Sequence, residues 1–572
     1  MNIAQFLVLI LAVAFIGGYI AQKIKLPLMV GYLGSGVAVS WFLNKWIASG
    51  PTVNSIADIG VALLMFSLGL EFSLGRLKNL GEIILVGSFL QIFTTVIFGI
   101  VLFQFLGFDF YNSLFLGSVL SLSSTAAVVK ILSDRGELDT LGGEIAVGWL
   151  LAQDVATLLF IVLLPVVGLS MFSGSGWLYT FLTVIKSISV AGLSLGAVFF
   201  LGRKIVPIAL DRISLLGVRE LLLVAVVTIC LFFAAIAQNL GFPFALGAFL
   251  AGVIIAPTSG RHAIFSEIRP LRDVFSTIFF VSLGFLVLPE FVWQNYTLII
   301  LVTILFIVFK FIISDLLVIL LGFHTKTAFS VGISMISVGE FAFILSQLGR
   351  DQNLITDKSY MMILSVTILS LILSTPLMGG ANSIYIKLKS LLKEKIPLTV
   401  PIFNRLDKQI VNHDNIFSNH AVILGHGRVG KYISKALYSS GVPFIVVDYN
   451  NHLVKNLRTL GIEVIYGDPA EIDVLKAANI TQAKVVVIAI ADRHTQDMVI
   501  ANTLSLNSAI KIICRSHFEE DGGRLKSLGV EEVIQPEFEA AVSITGKLLK
   551  IFNLEQPMIE SQLFKLKIDH GF

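Results

Sequence analysis

Over the first two thirds of the chain, long apolar runs alternate with short charged or turn-forming breaks. A helix that crosses a bilayer needs about 20 mostly apolar residues. Reading the runs between breaks predicts about thirteen spans, near residues 3–22, 27–43, 54–73, 82–106, 112–133, 143–171, 176–201, 219–238, 243–257, 273–289, 296–321, 327–348 and 358–380. The first run has no basic flank before it and is followed by Lys23 and Lys25. It therefore reads as a retained span rather than a cleaved signal peptide.

Past residue 380 the period changes. Strand-length apolar runs, His420–Leu424, Pro443–Val447, Ile462–Tyr466, Lys484–Ile490 and Ile510–Cys514, alternate with helical stretches. That is the pattern of a doubly wound parallel sheet. The predicted architecture is an α-helical polytopic membrane protein joined to a cytoplasmic α/β Rossmann-like domain. Its parts are a transmembrane domain over 1–380, a linker over 381–417, the Rossmann-like domain over 418–540 and a C-terminal tail over 541–572.

Composition narrows the class. Of 572 residues, 56% are hydrophobic and only 14% charged, which excludes an ordinary soluble protein, whose charged share is near a quarter. Two cysteines, Cys230 and Cys514, exclude a disulfide scaffold and a Cys-rich metal site. A net charge of +3 is too small to point to nucleic acid. With the N-terminus outside, the inner loops hold twelve basic residues, from Lys23 to Lys326, and the outer loops only Lys45, Arg350 and Lys358. That asymmetry and an odd number of spans place the charged C-terminal domain in the cytoplasm.

The first strand runs directly into Gly425-His426-Gly427-Arg428-Val429-Gly430 and then an amphipathic stretch. The glycines permit a tight turn and close backbone approach, so a phosphate can sit on the helix N-terminus. Asp448, 18 residues past Gly430, is placed to accept from ribose hydroxyls. The loop alone is weak evidence; the strand before it, the helix after it and the acid at this distance make adenine-nucleotide binding the expected role. Arg428 either pairs with phosphate or is solvated. Asp468, ending the third strand, either makes a second ribose or adenine contact or caps a turn. Arg515, beyond the fifth strand, reaches for the nucleotide or an adjacent subunit. With no paired acid and base and no companion substrate domain, the domain reads as a sensor rather than a dehydrogenase.

An ionisable group inside a span is costly and is therefore a functional candidate. Asp154, next to Gln153, has long apolar stretches on both sides and is expected near mid-membrane. A carboxylate withdrawn from water holds a proton or a dehydrated cation but not both at once, and that competition suffices for exchange; the alternative is an aspartate that satisfies a kink or a cap. Lys310, in the middle of its run, is expected to meet a carboxylate, such as Asp154, or the carbonyls of a helix end. Two spans look interrupted. One clusters Ser123, Ser124 and Thr125; the other, Gly332 to Phe341, combines serines and glycines with Glu340. Broken helices expose carbonyls and dipole ends to ions and recur at matching positions of inverted repeats; alternatively these hydroxyls bond back to their own helices. Glu71 and the Arg219–Glu220 pair lie at cytoplasmic helix ends, as structural ion pairs or gating contacts or, equally, as transport residues. His262 lies in an inner loop, solvated or functional.

The motifs Leu68-Gly-Leu-Glu71, Leu122-Ser-Ser-Thr125, Gln153-Asp154, Gly247-Ala-Phe-Leu-Ala-Gly252, Gly339-Glu-Phe-Ala-Phe343 and the Gly425–Gly430 loop together resemble the monovalent cation:proton antiporter-2 family. The likeness is closest to its Kef-type potassium efflux branch and extends to about residue 540. The resemblance implies an inverted-repeat fold with crossed broken helices, a homodimer in the inner (plasma) membrane, and a cytoplasmic domain like that of potassium-conductance regulators. It also implies transport of K⁺ against H⁺, with Asp154 as the cation- and proton-binding carboxylate. Gln153 stands where sodium-exchanging relatives carry a second aspartate, which goes with potassium and an electroneutral cycle. The segment Arg261–Pro270, with His262 and Glu267, resembles the regulatory loop of glutathione-gated members but has lost much of its acidity. Control by AMP, ATP or NAD(H) is expected instead. The expected partners are a second copy, membrane lipid and a small ancillary regulatory subunit, with no nucleic acid. Three rivals remain: sodium exchange by the same fold, a ligand-gated potassium channel, and an NAD-using enzyme. The channel lacks a Thr-Val-Gly-Tyr-Gly filter here, and the enzyme lacks substrate-site residues.

Overall fold

The computed structural model describes residues 3–24, 26–43, 51–71, 81–138, 140–172, 186, 196–210, 212–213, 218–240, 244–258, 261–395, 417–490, 492–516 and 520–569. They fall into two compact units. The first comprises Met1–Val129, Ala146–Leu317 and Gly332–Gly379; the second comprises Lys130–Ile145, Val318–Val331 and Gly380–Phe572.

The first unit is helical. Among the described residues, six helices are long and apolar enough to cross a membrane. Helices Glu82–Phe105, Arg219–Asn239 and Asp357–Gly379 begin and end within two residues of the runs read from hydropathy. The run at 176–201 lies largely outside the described residues. Two predicted spans are each split into half-helices: Phe110–Ser121 with Thr125–Asp134, and Thr325–Ser334 with Phe341–Asp351. Asp109 caps the first of these, its carboxylate accepting from Asn112 N at 3.0 Å.

One sequence expectation is corrected. The segment Arg261–Pro270, expected as an inner loop, is the opening of a helix that runs unbroken to Leu286. Ile264 and Ile268, four residues apart, are both buried, so an apolar stripe draws the segment into the helix and leaves Arg269 exposed.

Two of the sequence motifs turn out to be packing devices. The helix Pro51–Glu71 lies against Phe244–Ile255. A Cβ on Gly69 would stand 2.3 Å from Phe249 O, and one on Gly252 would stand 2.2 Å from Phe66 O. Reciprocal glycines let the two backbones touch, as small residues do between membrane helices.

The second unit contains a six-stranded, wholly parallel sheet in the order β3-β2-β1-β4-β5-β6. Its strands are β1 (Ala421–Leu424), β2 (Phe444–Asp448), β3 (Val464–Tyr466), β4 (Val485–Ile488), β5 (Lys511–Arg515) and β6 (Glu532–Ile534). Val422 is in register with Ile445 on one side and Val486 on the other. Strand order therefore reverses at β1, which opens a crevice at the carboxyl ends of β1 and β4, where doubly wound sheets bind ligands.

Candidate functional site

The two broken helices of the first unit cross at their breaks. Gly339 N donates to Leu122 O at 3.1 Å, and a Cβ on Gly339 would stand 2.7 Å from Ser123 O. Ser123 Oγ donates to Met335 O at 2.9 Å, and Ser124 N donates to Ser337 Oγ at 3.2 Å. Unwinding frees main-chain groups that must find partners when they are buried among the spans. Here each break satisfies the other, so the hydroxyls clustered in the sequence stitch the crossing together.

Lys310 completes it. Its side chain is wholly buried, and Nζ donates to Leu120 O at 3.4 Å, Leu122 O at 3.3 Å and Ser337 O at 2.7 Å. Of the two kinds of partner expected from sequence, main-chain carbonyls are the ones it meets. They lie at the carboxyl ends of the half-helices Phe110–Ser121 and Thr325–Ser334, where the helix dipole presents negative charge.

The acids lie at the opposite, amino ends. Thr125 begins its half-helix and donates through Oγ1 to both oxygens of Asp154, at 3.0 and 3.2 Å. Glu340 immediately precedes the Phe341–Asp351 half-helix, and its carboxylate accepts from Ser124 Oγ at 3.0 Å. Opposed dipoles thus hold a cation on one side of the crossing and two carboxylates on the other. Asp154 itself is 6% exposed.

Gln153 takes a different part. Its Oε1 accepts from Ser123 N at 2.7 Å, and its Nε2 donates to Gln91 Oε1 at 2.7 Å. Sequence reasoning missed Gln91. The available signal was an amide four residues before a threonine in a span without internal charge.

In the second unit, Gly425 directly follows β1 with φ +92°, a left-handed turn suited to glycine. A Cβ on Gly430 would stand 2.2 Å from Gly425 O, so this position closes the turn against its helix. Gly427 has nothing within 4 Å of where a Cβ would stand, and no side chain caps the helix Arg428–Ser439 that follows it. The loop therefore offers uncapped N–H groups and clear space to a phosphate. Val429 lies in the first turn of that helix. His426 Nε2 is 2.7 Å from Ser434 Oγ, and burial holds its ring below the usual histidine range.

Asp448 lies beside the loop. Its carboxylate accepts from His426 N at 2.7 Å and Asn450 N at 2.8 Å. Burial pushes it above the ordinary aspartate range, and these N–H groups oppose that only in part. Further donors, such as the two hydroxyls of a ribose, would stabilise its charge, so the residues present fit a nucleotide.

Asp468 is committed within its own unit. Oδ1 accepts from Ala470 N at 3.0 Å, a turn cap, and Oδ2 accepts from Lys326 Nζ at 3.3 Å. Burial alone would raise it, but Lys326 and His324 hold it below the usual range. Lys326 Nζ also donates to Thr495 Oγ1 at 2.8 Å. Arg515 is half-buried at the end of β5, its carbonyl taking Gln496 Nε2 at 2.8 Å. Glu267 is half-buried on the helix Arg261–Leu286. The side chains of Glu71, His262 and Arg428 lie outside the described residues.

Comparison with known proteins adds to this geometry. Residues 11–379 match the transmembrane sodium/hydrogen exchanger family, and residues 421–536 match the TrkA-N domain. The chain is 31% identical over 535 residues to the protein YbaL of Escherichia coli (strain K12), covering 93% of this chain and 94% of that one. It is 28% identical over 538 residues to the glutathione-regulated potassium-efflux system protein KefC of Shigella flexneri, covering 92% and 82%. The sodium proton antiporter MjNhaP1 of Methanocaldococcus jannaschii superposes on 66% of this chain and 97% of its own with a TM-score of 0.51 at 18% identity, a likeness of fold.

Proposed function

The chain belongs to the sodium/hydrogen exchanger family, in its Kef-type branch with a TrkA-N domain, and from that premise we propose that it exchanges K⁺ for H⁺ across the membrane under control of an adenine nucleotide. The observation that carries this reading is Asp154, held by Thr125 at the amino end of a half-helix in a crossing closed by Lys310. A proton and a dehydrated cation compete for that carboxylate, and alternating access carries whichever is bound. Potassium is supported by the potassium-efflux relative and by the uncharged Gln153, which puts no second carboxylate next to Asp154 in its helix. The working form is a homodimer in the inner membrane, with its N-terminus outside and room for a small ancillary regulatory subunit. The positive-inside distribution of basic residues supports that orientation. One carboxylate exchanging one proton for one cation makes the cycle electroneutral. In proteoliposomes on a solid-supported membrane, a K⁺ jump should move protons with no net charge displacement. A sustained charge displacement would contradict that stoichiometry.

The regulatory ligand is AMP, ATP or NAD(H), received by the Gly425–Gly430 loop and Asp448. Two glycine substitutions separate binding from folding. Gly427→Ala adds its methyl to open space, so the unfolding temperature should be unchanged while nucleotide affinity falls about ten-fold or more, as the phosphate loses its approach. Gly430→Ala drives a methyl into Gly425 O and should lower both. Titration calorimetry and thermal unfolding of the full chain check this; unchanged affinity in Gly427→Ala would remove the loop from the ligand site.

A further inference from the structure

Gln91, on the helix Glu82–Phe105, is wholly buried. Its hydrogen bonds form a chain that can run in only one direction. The main-chain N–H of Ser123 can only donate, so the atom 2.7 Å from it is the oxygen of Gln153. That turns the Gln153 amide nitrogen the other way, where it donates to Gln91 Oε1 at 2.7 Å and faces Met335 Sδ at 3.8 Å. Gln91 Nε2 then points at Thr95 Oγ1, 3.3 Å away. The Thr95 hydroxyl hydrogen goes to the Gln91 carbonyl at 2.7 Å. One backbone N–H at the break thus fixes the orientation of two buried amides and a hydroxyl.

We propose that Gln91 is a positioning residue for the ion site, holding the Gln153 amide so that the helix bearing Asp154 stays registered on the first break. The proposal rests on the exchange reading above. Gln153 and Asp154 are successive residues of the helix Leu141–Phe172. One ties that helix to Ser123 N, and the other takes the hydroxyl of Thr125 two residues further on. Gln91 is the strong acceptor that keeps the first tie from turning. Without it the amide is free to rotate, Ser123 N loses its partner in a site where the loss is costly, and the helix bearing Asp154 loses its tie to Ser123. Because both members of the relay are amides, the anchoring brings no second titrating charge next to Asp154.

A double-mutant cycle in proteoliposomes tests this, using the purified full chain, Gln91→Met, Gln153→Met and the double variant. Methionine keeps the volume at position 91 and removes the strong acceptor. Gln91→Met should raise the K⁺ KM about ten-fold, as loss of one buried hydrogen bond would. It should also shift the pH profile while leaving the maximal rate within about two-fold of the parent. The double variant should be no worse than Gln153→Met alone. A KM within about two-fold of the parent for Gln91→Met, or single effects that multiply in the double variant, would overturn the proposal. Should Gln91→Met fail to fold, Thr95→Val takes its place in the cycle, with a shift of about three-fold in the same direction. Thermal unfolding of the same proteins reads the coupling without transport, as losses in Tm that do not add. If the parent moves no protons in response to K⁺, the exchange reading fails, while the unfolding cycle still decides whether Gln91 holds Gln153.

Discussion

Asp154→Asn abolishes exchange and leaves the fold standing: that is the largest effect expected of any single substitution. Asparagine has the shape of the carboxylate and keeps an oxygen for the Thr125 hydroxyl, 3.0 Å away in the parent, so the crossing should survive. What disappears is the negative charge and the group that titrates. Without either, the site neither draws a cation out of water nor releases a proton. Turnover should fall at least about 100-fold, with Tm within about 2 °C of the parent. Thermal unfolding with and without K⁺ checks the binding step directly. A ligand that binds only the folded state raises Tm, so K⁺ should stabilise the parent and have no effect on the variant. Equal stabilisation of both would move the cation site away from Asp154.

Lys310→Met should produce the largest loss of stability. The ammonium donates to three carbonyls at once, Leu120 O in the last turn of one half-helix and Leu122 O and Ser337 O in the breaks, and Leu122 O also accepts from Gly339 N. A buried carbonyl stripped of its donor costs about 1–3 kcal/mol, and water cannot easily replace the lysine in so closed a site. The expected loss is about 3 kcal/mol or more, read as a fall in Tm on the order of 10 °C in detergent. Lys310→Arg keeps the charge, but its planar fork cannot gather three carbonyls around one nitrogen, so it should recover only part of the loss. A methionine variant as stable as the parent would show that the breaks hold each other without the lysine.

The helical runs were legible because hydrocarbon thickness sets a length that hydropathy reports directly. So were the two breaks: hydroxyls and glycines gathered at Ser123–Thr125 and Gly332–Glu340 have no place in a plain lipid-facing helix. The glycine loop and Asp448 were legible because strand, turn and acid are all local in sequence. Other features depend on partners far apart along the chain. Gln91 and Gln153 are 62 residues apart, and Lys326 and Asp468 are 142 apart, so no local pattern announces either pair. Gly69 and Gly252 read as a motif, but only the packed helices reveal why no Cβ fits there. The segment from Arg261 to Pro270 was misread because charge and proline suggested a break, whereas the buried Ile264 and Ile268 carry the helix through it.

The most direct measurement is proton movement in proteoliposomes of the purified chain, followed with a trapped pH-sensitive dye after K⁺ or Na⁺ is added outside, with Asp154→Asn as the control. The expected result is a rapid pH change driven by K⁺, weaker with Na⁺ and absent in the variant. A pH change driven by Na⁺ alone, or one that persists in Asp154→Asn, would contradict potassium:proton exchange at this carboxylate.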